Sequence, residues 1–464
     1  MKNQDQKIKL RVLVLTILTM FFLFPVSDLN GQDKKLNYGN TTDELVPYGR
    51  FQKAYKNFFD DVQPFTGAGR EKVPPTDLTE VRIGFLGPLE GSILTPLGIQ
   101  MLQGASFAIE EANNKGGYNG IPFKLMPHND VGLWGAAANE VVKMNDEKVW
   151  AFLGSIDDIN THVALRVALK LEIPMVNSGD PDPTLTETRI PWMIRNIADD
   201  RQSSYALVNH IYREKKHSRI AVLRANNRYG RVGIMEFRDA ALRYGFPLVL
   251  EIRYNDGEID FATQIERMIK SSPDAVVLWG NAKETALIIN QMRQMGMEQP
   301  VYGSDRLMSK ELLEIAGENA EGLVTTCQYN PTLDEPNLVA FNKNYNERYG
   351  MEPDVFAAHA YDGMNLIIEA IHKAGLNRAL IRDLLTDHKT FQGYQGITGE
   401  LILDPSWNDI GSIWMTEVRD GKFDFFPTPP LISDEQENKK KHTTKKKIKF
   451  LNWKVSITTL CVHC

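Results

Sequence analysis

Cysteine is scarce in this sequence, with three in 464 residues, too few for a disulfide scaffold. Catalytic signatures are missing too. There is no HExxH, no GxxxxGK[ST] and no GxSxG, which removes the metalloprotease, P-loop and serine-hydrolase motifs. The nine His are scattered, and in the body none pairs with a second at metal spacing. No loop has EF-hand spacing. No enzyme activity, cofactor or metal is therefore expected. Net charge is −6, so the chain as a whole has no nucleic-acid footprint. The longest apolar run, residues 12–26, is shorter than the ~20 residues that span a bilayer. What remains is an ordinary globular balance, 42% hydrophobic and 24% charged, in a chain long enough for about two to three domain-sized units.

The two ends differ from the body. Lys2, Lys7, Lys9 and Arg11 precede VLVLTILTMFFLFPV, and a short polar stretch follows. This order is that of a secretory signal over residues 1–32, with an uncleaved anchor as the other reading. Residues 33–79, rich in aromatics and charge, are expected to form an N-terminal arm on the domain surface; a docking element for a partner protein is the alternative. At the other end, residues 439–464 carry eight Lys and no acid, which leaves the rest of the chain near −14. We read 427–464 as a basic disordered tail, with attraction to an anionic surface as the sharper alternative. Cys461 and Cys464 form a CxxC with no second ligand pair nearby, and Cys327 is expected to be a buried free thiol.

Between these ends, strands and helices alternate. VRIGFLG (81–87), FKLMPHND (123–130), VWAFLG (149–154) and IPMVNSG (173–179) read as strands, with helical spacing between them. The same grammar restarts after Ile197, with RIAVLRA (219–225), LVLEIRY (248–254), AVVLWG (275–280), VYGSD (301–305) and GLVTTCQY (322–329) as strands. Helices 336–349 and 355–374 look like additions to one of the two units, and 401–423 reads as an antiparallel pair. Strands separated by helices imply right-handed crossovers and parallel sheets. Open sheets of this kind bind ligands at the carboxyl ends of their strands. Those loops, among them GSIDDINT (154–161), NSGDPDP (177–183), ANNRYG (225–230), WGNAKE (279–284) and GSDR (303–306), are rich in Gly, Ser, Asn and Asp. Each alone is an ordinary turn with an N-cap, but their recurrence in both units points to a cleft between them.

From about Val81 to about Phe425 the chain resembles the branched-chain amino-acid (leucine/isoleucine/valine type) periplasmic binding proteins of ABC transporters. The resemblance rests on VRIGFLGPLEG, QGASFAIEEANNKGGYNG, AFLGS, IPMVNSGDPDPTLT, RIAVLRANNRYG, PDAVVLWG, PVYGSD, AEGLVTT and YNERYGMEPDVFAAHAYDGMNLIIEAI, in order and at the right spacing. It implies an α/β fold of the type I periplasmic binding protein kind. Two Rossmann-like lobes with parallel central sheets, 80–197 plus 330–397 and 198–329 plus 398–426, would be joined by a three-strand hinge and clamp a ligand by closure.

The resemblance also implies contacts. Ser155, Asp158, Asn160 and Thr161 lie in the loop that holds a ligand carboxylate in relatives. Ser178, Gly179 and Asp180 lie in the next loop, Tyr229 matches an aromatic cover from the second lobe, and Asn281 matches a further contact. Asp305 matches the acid that receives an α-ammonium. Each has a plainer reading, as a cap for helix 160–171 or 309–315 or as a packing residue. The chain departs from its relatives at Asp157 and Asp158, where they carry Ser, Thr or Gly, and at Leu97. Asp180 and Asp182 add acid, and carboxylates repel a ligand carboxylate unless they point away. A cationic, amide or larger amine-bearing ligand is thereby brought into view. Trp134 and Trp279 stand near strand ends, where either can stack on a cation or pack in the core. His128 is expected at the surface or as a cap. The implied role is an exported, periplasmic or extracellular, monomeric solute-binding protein that delivers a small molecule to an ABC transporter permease. A ligand sensor or accessory protein of the same fold is the alternative.

Overall fold

The computed structural model describes residues 67–428, except 132–134, 388–392, 405 and 412. The expected signal segment, most of the expected arm, Trp134 and the basic tail lie outside the described residues.

The apolar runs form two sheets. In the first lobe β1 (Val81–Gly87), β2 (Phe123–Asn129), β3 (Phe152–Gly154), β4 (Met175–Asn177) and β5 (Met193–Arg195) are all parallel, in the order β2-β1-β3-β4-β5. The second lobe holds β6 (Ile220–Ala225), β7 (Leu250–Tyr254), β8 (Ala275–Trp279), β9 (Val301–Gly303), β10 (Val324–Cys327), β13 (Trp414–Arg419) and β14 (Lys422–Pro427). Their order is β14-β13-β10-β9-β8-β6-β7, with β6 to β10 parallel and the last two antiparallel. Parallel strands covered by helices on both faces must be apolar throughout. The strand β8, AVVLW, is accordingly buried at every residue.

The helices that cover the sheets read as the spacing predicts. In the first lobe these are α1 (Thr95–Asn114), α2 (Ala136–Asp146), α3 (Asp158–Leu171) and the short α4 (Thr184–Glu187). In the second, α5 (Asp200–Val208) opens on a capping box of Asp199 and Gln202 and continues into a π-helical turn, Asn209–Glu214. It is followed by α6 (Arg228–Arg243), α7 (Ala262–Ser271), α8 (Ala282–Gln294) and α9 (Lys310–Ala316). The late helices α10 (Pro336–Tyr349) and α11 (Val355–Ala374) return to the first lobe, where Phe341 and Ala357 share a core with Phe85 and Met101. Gly104 allows α11 to approach α1: a Cβ at this position would lie 2.0 Å from the Ala357 carbonyl oxygen. Helix α12 (Arg378–Thr386) and the hairpin β11 (Tyr394–Gly396) with β12 (Gly399–Leu401) complete the chain.

The chain passes between the lobes three times, at 196–199, 328–335 and 402–413. The third pass corrects the expected pairing within 401–423, since Trp414–Arg419 pairs instead with Lys422–Pro427. Asp404 explains the difference. Its carboxylate accepts the N–H and O–H of Ser406 and the N–H of Asn408, which curls the chain where a strand was expected.

In each sheet the strand order reverses once, between β1 and β3 and between β6 and β8. The loops at the carboxyl ends of these strands are where such a fold places its ligand crevice.

Candidate functional site

Two loops of the first lobe are locked together by Asn177. Its amide donates to the carbonyls of Gly154 and Ser155 at 3.2 and 2.9 Å, while its Oδ1 accepts the Asp180 N–H at 3.1 Å. Asp157 caps α3 by accepting the Asn160 N–H, and the Thr161 hydroxyl donates back to the Asp157 carbonyl. With the cap supplied by Asp157, the neighbouring Asp158 is free of that duty and is buried. The Ser155 hydroxyl donates to Asp130, and the Ser178 hydroxyl donates to Asn196 Oδ1 at 2.6 Å.

The second lobe contributes Tyr229, from the first turn of α6, and the turn that follows β9. Gly303 makes that turn possible, because a Cβ there would lie 2.2 Å from Leu307, which folds back over it. The turn presents Asp305 and Arg306. The Tyr229 hydroxyl donates to Asp305 Oδ1 at 2.5 Å, and the Gln328 amide donates to Asp305 Oδ2 at 3.1 Å. The Arg306 guanidinium lies over the Tyr229 ring, 3.6 Å from its centroid.

The lobes meet across the cleft. Arg306 donates to the Ile156 carbonyl at 2.9 Å and lies 3.7 Å from Asp158. Arg228 donates to Asp182 at 2.7 Å and to the Thr184 hydroxyl at 2.8 Å. This is a closed form of a two-lobed cleft. A groove of about 600 Å³ opens elsewhere, on the outside of the first lobe between Phe341, Tyr361 and Tyr394, and none of these acids lines it.

Several buried polar atoms at this junction make no hydrogen bond. They include both carboxylate oxygens of Asp158 and of Asp200, Asp180 Oδ2, Gln328 Oε1 and Arg306 Nε. Buried polar groups are ordinarily satisfied, so a cluster of orphans marks a place where a ligand or water belongs. Burial pushes the Asp158 carboxyl up to about 7, against the pull of Arg306. Asp180 is raised well above the usual carboxylate range by burial and then by Asp158, and Asp200 likewise by burial and then by Asp305 and Asp158. Burial, then Asp305, also raises the Tyr229 phenol. Burial would raise Asp182 as well, but the bond from His162, the charge of Arg228 and the bond from Thr184 hold it below the carboxylate range.

Of the residues singled out in the sequence, the structure brings Asp158, Asp180, Tyr229 and Asp305 to one cluster. Ser155, Thr161 and Ser178 have hydroxyls engaged within the first lobe, and Asn160 is half-buried in the first turn of α3. Gly179 is buried against Met101 and Ile156. Asn281 is the buried residue preceding α8, and its Oδ1 has no hydrogen-bond partner. Asp305 does not cap the following helix, since Ser309 accepts the Glu311 N–H there. Trp279 is fully buried and packs beside Tyr229, with ring centroids 6.3 Å apart. His128 corrects an expectation: it is buried, not at the surface, and bridges Glu140 at 2.7 Å and Glu147 at 2.9 Å. Arg306, Arg228, Asp200 and Gln328 were not anticipated as site residues. Among the described residues, no group of three or more His, Cys, Asp or Glu is arranged to hold a metal ion.

A two-lobed α/β fold with polar groups converging at the carboxyl ends of both sheets agrees with comparison to known proteins. The family model for periplasmic binding proteins matches residues 80–422. The chain belongs to the periplasmic binding protein family. It is 25% identical over 356 residues to the Leu/Ile/Val-binding protein homolog 2 of Brucella abortus, covering 76% of this chain and 94% of that one. It is 27% identical over 309 residues to an amino acid binding protein of Pseudomonas aeruginosa, covering 65% of this chain and 80% of the relative. Among solved structures it is similar to the branched-chain amino acid transporter substrate binding protein LivJ of Streptococcus pneumoniae in complex with isoleucine. That match has a TM-score of 0.69 and 25% identity, covering 74% of this chain and 98% of the other. The leucine binding protein LivK of Thermotoga maritima gives the same TM-score and identity, covering 76% of this chain and all of its own. The resemblance read from the sequence is thereby borne out, in family and in fold.

Proposed function

We propose that this member of the family is an exported solute-binding protein. It captures a small amino-acid-like, amide or amine ligand between its lobes and delivers it to an ABC importer. The observation that carries this reading is the convergence of buried, unpartnered polar groups from both lobes at the carboxyl ends of both sheets. Asp158 and Asp180 come from one side of the cleft, and Arg306 and Gln328 from the other. A buried polar atom without a hydrogen-bond partner is costly, and a ligand bearing an ammonium can donate to the unpartnered carboxylate oxygens. The geometry supports the following working cycle. The open form admits ligand, closure joins Arg228 to Asp182 and Arg306 to the Ile156 carbonyl, and the closed form is the one presented to the permease. No bond is made or broken.

A thermal-shift screen of the full chain against amino acids, amides, polyamines, short peptides and small carboxylates tests the reading. Ligand at 100 times its Kd adds about 2.7 kcal/mol of stability to the native state. A clear rise in Tm with one chemical class supports a binding protein. No rise with any class removes the proposal.

A further inference from the structure

The charge of the closed cleft narrows the ligand class. Asp182 is answered by Arg228 at 2.6 Å and by His162 at 3.1 Å. Of the other acids at the junction, Asp158 faces Arg306 and, more weakly, Arg228, Asp180 faces Arg195, which is already paired with Asp199, and Asp200 and Asp305 face Arg306, so carboxylates outnumber the guanidinium groups. Asp158 and Asp200 together leave four buried oxygens without a donor, whereas Arg306 Nε is the unused donor of the cluster's guanidinium. Gln328 points the same way independently. It comes from a different strand end, it is 3% exposed, and its amide is tied to Asp305, yet its Oε1 accepts nothing.

A neutral amino acid with an aliphatic side chain fits this balance poorly. It brings one ammonium and one carboxylate, so it leaves the acid excess unchanged, and its side chain donates to nothing. Resting on the binding-protein reading above, we propose that the cleft takes a small molecule with two cationic groups, an aliphatic diamine or a basic amino acid, whose cationic groups are received by Asp158 and Asp200. Gln328 Oε1 accepts a further N–H of the same molecule.

Isothermal titration of the full chain with 1,4-diaminobutane, lysine, arginine, leucine and isoleucine decides the matter. The expected result is that a ligand with two cationic groups binds at least roughly tenfold more tightly than leucine and is weakened by roughly tenfold or more in Asp200→Asn. Leucine or isoleucine binding as tightly as every such ligand overturns this inference and leaves the binding-protein reading standing. Unchanged affinity for that ligand in a folded Asp200→Asn overturns Asp200 as a receiving group. No heat from any of these, together with no thermal shift across the wider screen, overturns both. Should Asp200→Asn fail to fold, the ranking shown by the unmodified chain still decides.

Discussion

Arg228 and Asp182 belong to opposite lobes and meet at 2.6 Å, with Asp182 wholly buried and Arg228 about a quarter exposed. Arg228 is the first residue of α6, held there by the Asn227 cap, and Asp182 is fixed by Thr184. Neither side chain has to search for its partner once the lobes approach, so the pair acts as a latch for the closed form.

Removing one half of that latch shifts the clamp toward its open form. Arg228→Met leaves Asp182 with His162 and Thr184 but without its cross-lobe cation. A fully buried partner lost costs 3–5 kcal/mol, and the partial exposure of Arg228 reduces this to about 1–3 kcal/mol. Small-angle scattering should show a larger radius of gyration for the variant, and ligand affinity should fall by roughly tenfold. An unchanged radius and affinity would mean that Arg228 does not hold the lobes.

Tyr229 and Asp305 offer a second test. Tyr229→Phe keeps the ring beneath Arg306 and removes only the O–H that donates to Asp305. A hydrogen bond to a charged group contributes about 1.5–3 kcal/mol, so Tm should drop modestly and the fold survive. Asp305→Ala takes away the acid itself and should weaken ligand binding more. Calorimetry on both variants is the check, and wild-type affinity in both removes these two residues from the site.

Much of this was legible in the sequence, for a physical reason. A strand buried on both faces is a continuous apolar run, and a helix between strands carries a periodic stripe, so VRIGFLG, AVVLWG and the stretches between them announce a parallel sheet. The loops after those runs were therefore identifiable as cleft loops, and the family resemblance singled out Asp158, Asp180, Tyr229 and Asp305 within them. Arg306 and Arg228 sit in the same loops, one residue from Asp305 and from Tyr229, yet a basic side chain in a polar loop reads as solvated. Its burial depends on the opposing lobe, 44 to 150 residues away in sequence, and local pattern carries no record of that. Asp199 and Asp200 are adjacent in sequence, and adjacent side chains diverge. They do diverge: Asp199 turns to cap α5 and Asp200 is left to the cleft. The curl made by Asp404 is likewise a side-chain to backbone choice that overrides strand spacing.

Close approach of two helices gives a prediction remote from the cleft. Gly104 on α1 leaves no room for a Cβ against the Ala357 carbonyl of α11. Backbone cannot yield as a flexible side chain can, so Gly104→Ala must push the two helices apart. Overpacking of this kind costs about 1–3 kcal/mol. The midpoint of urea unfolding should fall accordingly, and an unchanged midpoint would contradict the packing described.

Stability should also depend on pH in a direction that the buried acids set. Burial raises Asp130, Asp158 and Asp409 each to about 7, whereas an unfolded Asp titrates near about 3.9. Between these values the native state holds protons that the unfolded chain has released, so stability falls as pH rises from about 4 to about 7. Each such group contributes up to about 1.4 kcal/mol per pH unit within that window. Asp182, held low, acts oppositely, losing its contribution only as pH drops below the ordinary carboxylate range. Urea midpoints should therefore be higher at pH about 5 than at about 8. Asp130 offers a single-residue test, since its Oδ2 accepts the Ser155 hydroxyl while its Oδ1 has no hydrogen-bond partner. Asp130→Asn mimics the protonated acid and should stabilise the protein at alkaline pH with little effect at acid pH. A variant equally stable relative to wild type at both pH values would show that Asp130 is ionised in the fold.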